Sequence, residues 1–151
     1  MSCSDPPLFN RRLGHALLLL LAFSFWQGAQ AQGVVLVSAR SGGIAELDRD
    51  TAAQLYLGRR TSLPDGRGAR LLDLPAGPER DLFYQRLTGK NPSQIRAYWS
   101  RMVFTGRAQP PHEVDDQEDA LRRVLADPNT LAYLPAASVT DQPLHVLMHL
   151  E

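Results

Sequence analysis

Three adjoining segments at the start of the chain decide what is left to fold. Arg11, Arg12 and His15 precede an apolar run from Ala16 to Trp26, and Ala29-Gln30-Ala31 follows. A charged segment, a short apolar core and an A-x-A site together read as a secretory signal peptide over residues 1–31. The run is shorter than the 18 or more apolar residues of a membrane span, so no span is expected after cleavage. Residues 32–151 then form one domain with one core. Cys3, the only cysteine, leaves with the signal, so the domain has no disulfide and no thiolate ligand and must be held by hydrophobic burial. Cys3 also stands too far upstream of the cleavage site to carry the lipid of a lipoprotein. Export places the domain in the periplasm and removes cytoplasmic nucleotides and nucleic acid from its partners.

The whole chain carries 16 basic and 16 acidic side chains. Losing Arg11, Arg12 and Asp5 leaves 14 against 15, a balance with no long-range field to attract a polyanion. Lys90 is the only lysine. The arginine bias suits planar anion recognition, and a GC-rich genome produces the same skew.

The hydrophobic pattern alternates between two periods. Val34-Val35-Leu36-Val37 reads as a buried strand entering a loop that holds Ser38 and Ser41. Asp48 caps a helix with Ala52, Leu55 and Tyr56 on one face, and Gly58 stops it. Residues 69–74 return to strand character. Pro78 opens a second helix through Leu87, and Pro92 or Ser93 opens a third with an apolar stripe of Ile95, Trp99, Met102 and Val103. Residues 108–111 form a stiff connector. Asp115 or Asp116 begins a last helix with Ala120, Leu121, Val124 and Leu125 inward. Residues 131–134 and 144–150 are strands separated by a loop. The order β-α-β-α-α-α-β-β predicts an α/β domain, a mixed sheet flanked by helices.

Read together, residues 47–59, Leu63-Pro64-Asp65-Gly66, Phe83-Tyr84, Tyr98-Trp99, Phe104-Thr105-Gly106-Arg107 and Ala132-Tyr133-Leu134-Pro135 form a series that resembles the phosphate-type periplasmic solute-binding proteins. The match is nearer still to short exported proteins that look like one lobe of that two-lobed fold. The resemblance covers residues 34–146. It implies a type II periplasmic-binding-protein fold without catalysis or cofactor, and a link to ABC-type transport. It also implies that a small anion such as phosphate is held by backbone N–H groups and hydroxyls at a helix N-terminus. The equivalent stretch here runs from Asp73 to Glu79. Asp73 stands where the family has arginine, and Gly77-Pro78-Glu79 stands where it has a hydroxyl-rich group. Pro78 removes an amide donor, and Asp73 and Glu79 bring two uncompensated carboxylates beside the anion.

Ser38, Ser41, Gly77, Arg80, Arg101, Thr105 and Arg107 are the candidate ligand-binding residues. Arginine forks suit a small anion or carboxylate; the alternative is that Arg101 meets the C-terminus of its helix while Arg107 solvates the loop. Tyr84 and Tyr98 are candidates to line an exposed face. His145 and His149, four apart, fall on one side of a helix or strand, but strand spacing separates them by roughly 13 Å, too far for one metal ion. His112-Glu113 lacks the second histidine of a metalloprotease motif, and no G-x-S-x-G elbow exists. No metal, cofactor or enzymatic activity is expected.

Two functions remain. In the first, the domain binds a small anion, with Ser38, Ser41, Thr105 or Arg107 clustered at the helix that begins at Pro78. In the second, it keeps the fold, has lost the ligand and docks on an ABC permease, a sensor or another envelope protein. The second expects those groups scattered or occluded and an apolar exposed face.

Overall fold

A computed structural model describes residues 33–151. The expected signal peptide and Cys3 lie outside these residues. Five strands and four α-helices follow in the order β1 (Val34–Ala39), α1 (Arg49–Tyr56), β2 (Arg70–Asp73), α2 (Pro78–Thr88), α3 (Pro92–Phe104), β3 (His112–Glu113), α4 (Gln117–Ala126), β4 (Thr130–Pro135) and β5 (Leu144–Leu150). Short 3-10 turns occupy Arg40–Gly42 and Ala136–Ser138.

Capping groups set the helix boundaries. The Asp48 carboxylate accepts from the Thr51 amide at 2.9 Å and opens α1. Asn91 and Gln94 exchange side chain-to-amide bonds of 3.0 and 2.9 Å at the start of α3, a reciprocal cap that satisfies two otherwise orphaned donors. The Asp116 carboxylate accepts from the Asp119 amide at 2.8 Å to open α4. Proline stands first in both α2 and α3, where its missing N–H costs nothing.

The sheet order is β3-β2-β4-β1-β5. β2 is parallel to β3 and β4, and β1 is antiparallel to both β4 and β5. The sheet is therefore mixed, as the alternating element order predicts. Every residue of β1 is buried, as are Thr130 to Leu134 in β4, so these two central strands are covered on both faces. The chain crosses from β2 to β3 through α2 and α3 and back across β2 to β4 through α4; the right-handed rule for parallel crossovers puts two connections running in opposite directions on opposite faces. α1 and α2 meet Tyr133 of β4 on the first face through Tyr56, Phe83 and Tyr84. On the second face, α4 packs against β4 and β1 with Ala120 and Val124 fully buried. These residues close a core of their own.

Several expectations need correction. The connector ends in a two-residue strand, β3, which pairs Leu72 with His112 and Asp73 with Glu113; two residues are too few to leave a periodic signal. β1 runs on through Ser38 and Ala39, because β4 and β5 both extend to pair with it. Leu125 and Val103 are 40% and 45% exposed, since each helix turns only its narrower stripe to the sheet. Tyr84 and Tyr98 line no open face: both are buried, and the Tyr98 hydroxyl donates to the Leu57 carbonyl at 2.6 Å. In β5 a bulge leaves Leu147 without a partner between Val146 and Met148. His145 thus pairs with Ser38 and His149 with Val35. Those two β1 residues are three apart, so the histidines stand on opposite faces.

Gly58 ends α1 at φ 65°, with the position of an added Cβ 2.8 Å from the Ala108 Cβ and 3.0 Å from the Trp99 ring. Gly58→Ala combines left-handed strain with overpacking and is expected to cost about 2 kcal/mol, read as a lower urea midpoint with an unchanged slope.

Candidate functional site

The chain leaves β2 toward α2 and leaves β3 toward α4, so these adjacent parallel strands discharge to opposite faces. A crevice opens where such exits diverge, at the carboxyl ends of the strands. Here it is a shallow pocket of about 230 Å³, lined by residues 74–79 from the β2–α2 connection and by Asp116 and Gln117 from the start of α4. Two helix N-termini point their positive ends at it.

Beneath its floor lies a buried carboxylate. Asp73, the last residue of β2, is 2% exposed. One of its oxygens accepts from the Tyr133 hydroxyl at 2.5 Å. The other accepts from Arg80 Nε at 3.0 Å and from the Tyr84 hydroxyl at 3.3 Å, and lies 2.8 Å from a terminal nitrogen of Arg80. The Tyr133 oxygen in turn accepts from the Leu74 amide at 3.0 Å, and the Arg80 guanidinium lies 5.6 Å from the centre of the Tyr84 ring. Phe83 stacks on Tyr133 with ring centres 3.7 Å apart. The main chain of Asp73 is also engaged, accepting from the Val114 amide at 2.9 Å.

The electrostatics agree with this arrangement. Burial and the adjacent Asp73 charge raise the pKa of both Tyr84 and Tyr133 above the usual tyrosine value, so both remain neutral donors. Burial opposes the charge on Arg80, but the hydrogen bond and charge of Asp73 more than compensate and hold it protonated. Asp73 is therefore a compensated carboxylate, which corrects the expectation of two uncompensated acids at this helix. Glu79 is the half-buried member of that pair that faces the crevice: it accepts from Gln117 at 3.4 Å across it, with Asp116 also in the wall.

The seven sequence-derived candidates fall in three places. Gly77 and Arg80 stand at the start of α2, where Gly77 is the N-terminal cap residue and Arg80 is turned inward to Asp73. Ser38 pairs with Leu131, which is level with Leu71 of β2; β1 runs opposite to β2, so Ser38 lies below the crevice and Ser41 at the far end of the sheet. Ser38 is fully buried in β1 with its hydroxyl unpartnered, while Ser41 is exposed. Arg101, Thr105 and Arg107 are exposed at the C-terminus of α3. There the Thr105 hydroxyl donates to the Arg101 carbonyl at 2.8 Å. The free backbone groups at that end are carbonyls, which accept rather than donate, so it offers no N–H cradle for a small anion. Among the described residues, no hydrogen bond or ion pair joins this group to Gly77 or Arg80.

Sequence reading missed Tyr84 and Tyr133 as polar partners of Asp73. The Asp73-to-Arg80 spacing crosses a strand, a loop and a helix turn, and Tyr133 is 60 residues away in sequence. A carboxylate set between Leu71-Leu72 and Leu74 was the one available signal.

A second acidic anchor sets the other wall. Asp119 is 3% exposed and accepts from Arg123 at 2.9 Å and from Arg122. Burial works against its charge, yet bonds from Arg123 and the Asp115 amide outweigh burial and lower its pKa below the usual 3.8. Asp48 and Asp65 shift the same way through bonds from Thr51 and Arg67.

No protein-family profile and no curated protein matches the sequence. Solved structures do match in fold, two of them as follows. A phosphate ABC transporter substrate-binding protein from Clostridium perfringens, with bound phosphate, superposes with a TM-score of 0.58 at 14% identity, over 76% of this chain and 44% of that one. An ABC-type phosphate transport receptor from Vibrio cholerae gives 0.51 at 12% identity, over 77% of this chain and 45% of the other. The chain thus spans less than half the length of either.

Two measurements test the site. Asp73→Ala strands Arg80 and two tyrosine hydroxyls and is expected to lower unfolding free energy by about 3 kcal/mol, with Asp73→Asn costing less because its amide oxygen still accepts from Tyr133. For Asp119, a folded pKa below the unfolded one means a contribution to stability that is complete above the unfolded value of 3.8 and lost as pH falls below it through the folded one. The urea midpoint of wild type falls across that window, and Asp119→Asn, less stable at pH 7, shows a shallower fall. The five-stranded mixed α/β fold described here is that of one portion of the solute-binding proteins it matches.

Proposed function

We propose that this chain is an exported, periplasmic, non-enzymatic domain, residues 32–151, that keeps the solute-binding fold but works by docking on an envelope protein such as an ABC permease or a sensor. One observation carries this reading: the cation of the α2 N-terminus, Arg80, is already paired with the chain's own Asp73. The position that a free anion would fill is thereby served by an internal carboxylate, and the crevice above it is walled by Glu79 and Asp116. An incoming anion would meet like charge there and would have to compete with a buried ion pair. The burial of Ser38 and the placement of Ser41 at the other end of the sheet support the same conclusion.

The other reading, capture of phosphate or another small anion for ABC-type transport, draws on one specific fact: a structure with this fold is described with bound phosphate. In this chain that binding would require Arg80 to leave Asp73, and a second lobe or a second copy to close over the ligand.

Isothermal titration of residues 32–151 with phosphate, sulfate and small carboxylates, with the mass measured by light scattering, separates the two. No saturable heat is expected with any of them. Micromolar phosphate binding overturns the docking reading, and its loss in Arg80→Met would then place the anion at α2.

A further inference from the structure

The outward side of α3 carries chemistry that the crevice leaves unused. The Phe104 side chain is 92% exposed, and Val103 beside it 45%. With 3.6 residues per turn, Ile95, Tyr98 and Trp99 face the core, and Phe104 points directly away from it. Arg96 and Arg101 flank that outward ridge on either side, and Arg107 follows one turn beyond, past Gly106 at φ 66°. All three arginines are exposed.

The charge around this aromatic is one-sided. Residues 82–112 hold four arginines and Lys90 with no aspartate or glutamate. Of the 14 basic residues in 33–151, the other nine stand among all 15 acidic ones. Among the described residues, the ion pairs involve Arg67, Arg70, Arg80, Arg122 and Arg123 and none of these five cations. The outward side of α3 and the turn after it thus carry exposed Arg96, Arg101 and Arg107, none of them in an ion pair among the described residues, with a protruding aromatic ring between them.

We infer that this surface is a peripheral contact for an anionic phospholipid bilayer, with Phe104 and Val103 entering the headgroup layer and Arg96, Arg101 and Arg107 against lipid phosphates. Aromatic rings favour the boundary between headgroup and hydrocarbon, and basic side chains near an anionic leaflet add attraction that salt screens. Paired modest signals of this kind give reversible surface binding. The shape favours a bilayer over other occupants. Phe104 stands proud of a convex helix end, which a deformable layer surrounds without a preformed hole. A two-fold pair of copies meeting here would set Arg101 and Arg96 against their own counterparts. The inference rests on this surface alone and stands whether or not the docking reading holds.

The test uses residues 32–151, whose core is complete without the N-terminal apolar run, in flotation with vesicles of phosphatidylglycerol mixed with phosphatidylcholine and of phosphatidylcholine alone. Binding is expected to the anionic vesicles only and to weaken with salt. Arg101→Glu with Arg107→Glu lowers vesicle affinity about tenfold or more, and Phe104→Ser lowers it about fivefold or more. A Phe104→Trp variant shifts its emission to the blue on binding. The substituted positions are exposed, so thermal unfolding stays unchanged. Absence of binding at low salt overturns the inference, as does binding that ignores these substitutions. A protein dimer broken by Phe104→Ser overturns it too, because the face would then belong to a second copy.

Discussion

A carboxylate buried at the end of a strand has to be matched from several directions at once, and Asp73 is matched by three side chains from two separate elements. Arg80 and Tyr84 come from α2, and Tyr133 comes from β4. Removing any one leaves a desolvated polar group, so the cluster fixes how α2 sits over the sheet. The same contacts hold β2 level with β4 and start the connection that forms the crevice. Tyr133 does double duty, since its ring stacks on Phe83 while its hydroxyl ties Asp73 to the Leu74 amide.

This arrangement changes the meaning of a helix N-terminus. Such an end is a general site for anions because its amides and dipole attract negative charge. Here the nearest cation faces inward to an internal carboxylate, while the open side of the crevice carries Glu79 and Asp116. The fold keeps the geometry of a ligand crevice while its charges oppose a free anion. Exposed Arg96, Arg101 and Arg107 lie instead on α3 and the turn after it.

Much of the architecture was legible because short-range chemistry dictates it. Asp48 and Asp116 cap helices wherever the chain goes, and Pro78 and Pro92 can only begin them. The continuous β-branched run of β1 announces a strand buried on both faces. β3 was illegible, since a two-residue edge strand exists only because β2 offers it a partner. The opposed histidines of β5 were equally hidden, because the bulge at Leu147 arises from pairing with β1.

At the site, sequence placed Gly77 and Arg80 on the α2 N-terminus and saw that Asp73 and Glu79 bring negative charge there. It also read Arg101, Thr105 and Arg107 as the end of their helix, but it could not see that Arg80 turns inward or that Ser38 is occluded within β1. The sequence by itself determined the elements, their caps and the charge balance, all set by neighbours within a few residues. Tertiary structure alone decided which carboxylate is paired and which faces the crevice, because Tyr133 reaches Asp73 across 60 residues and only strand register brings them together.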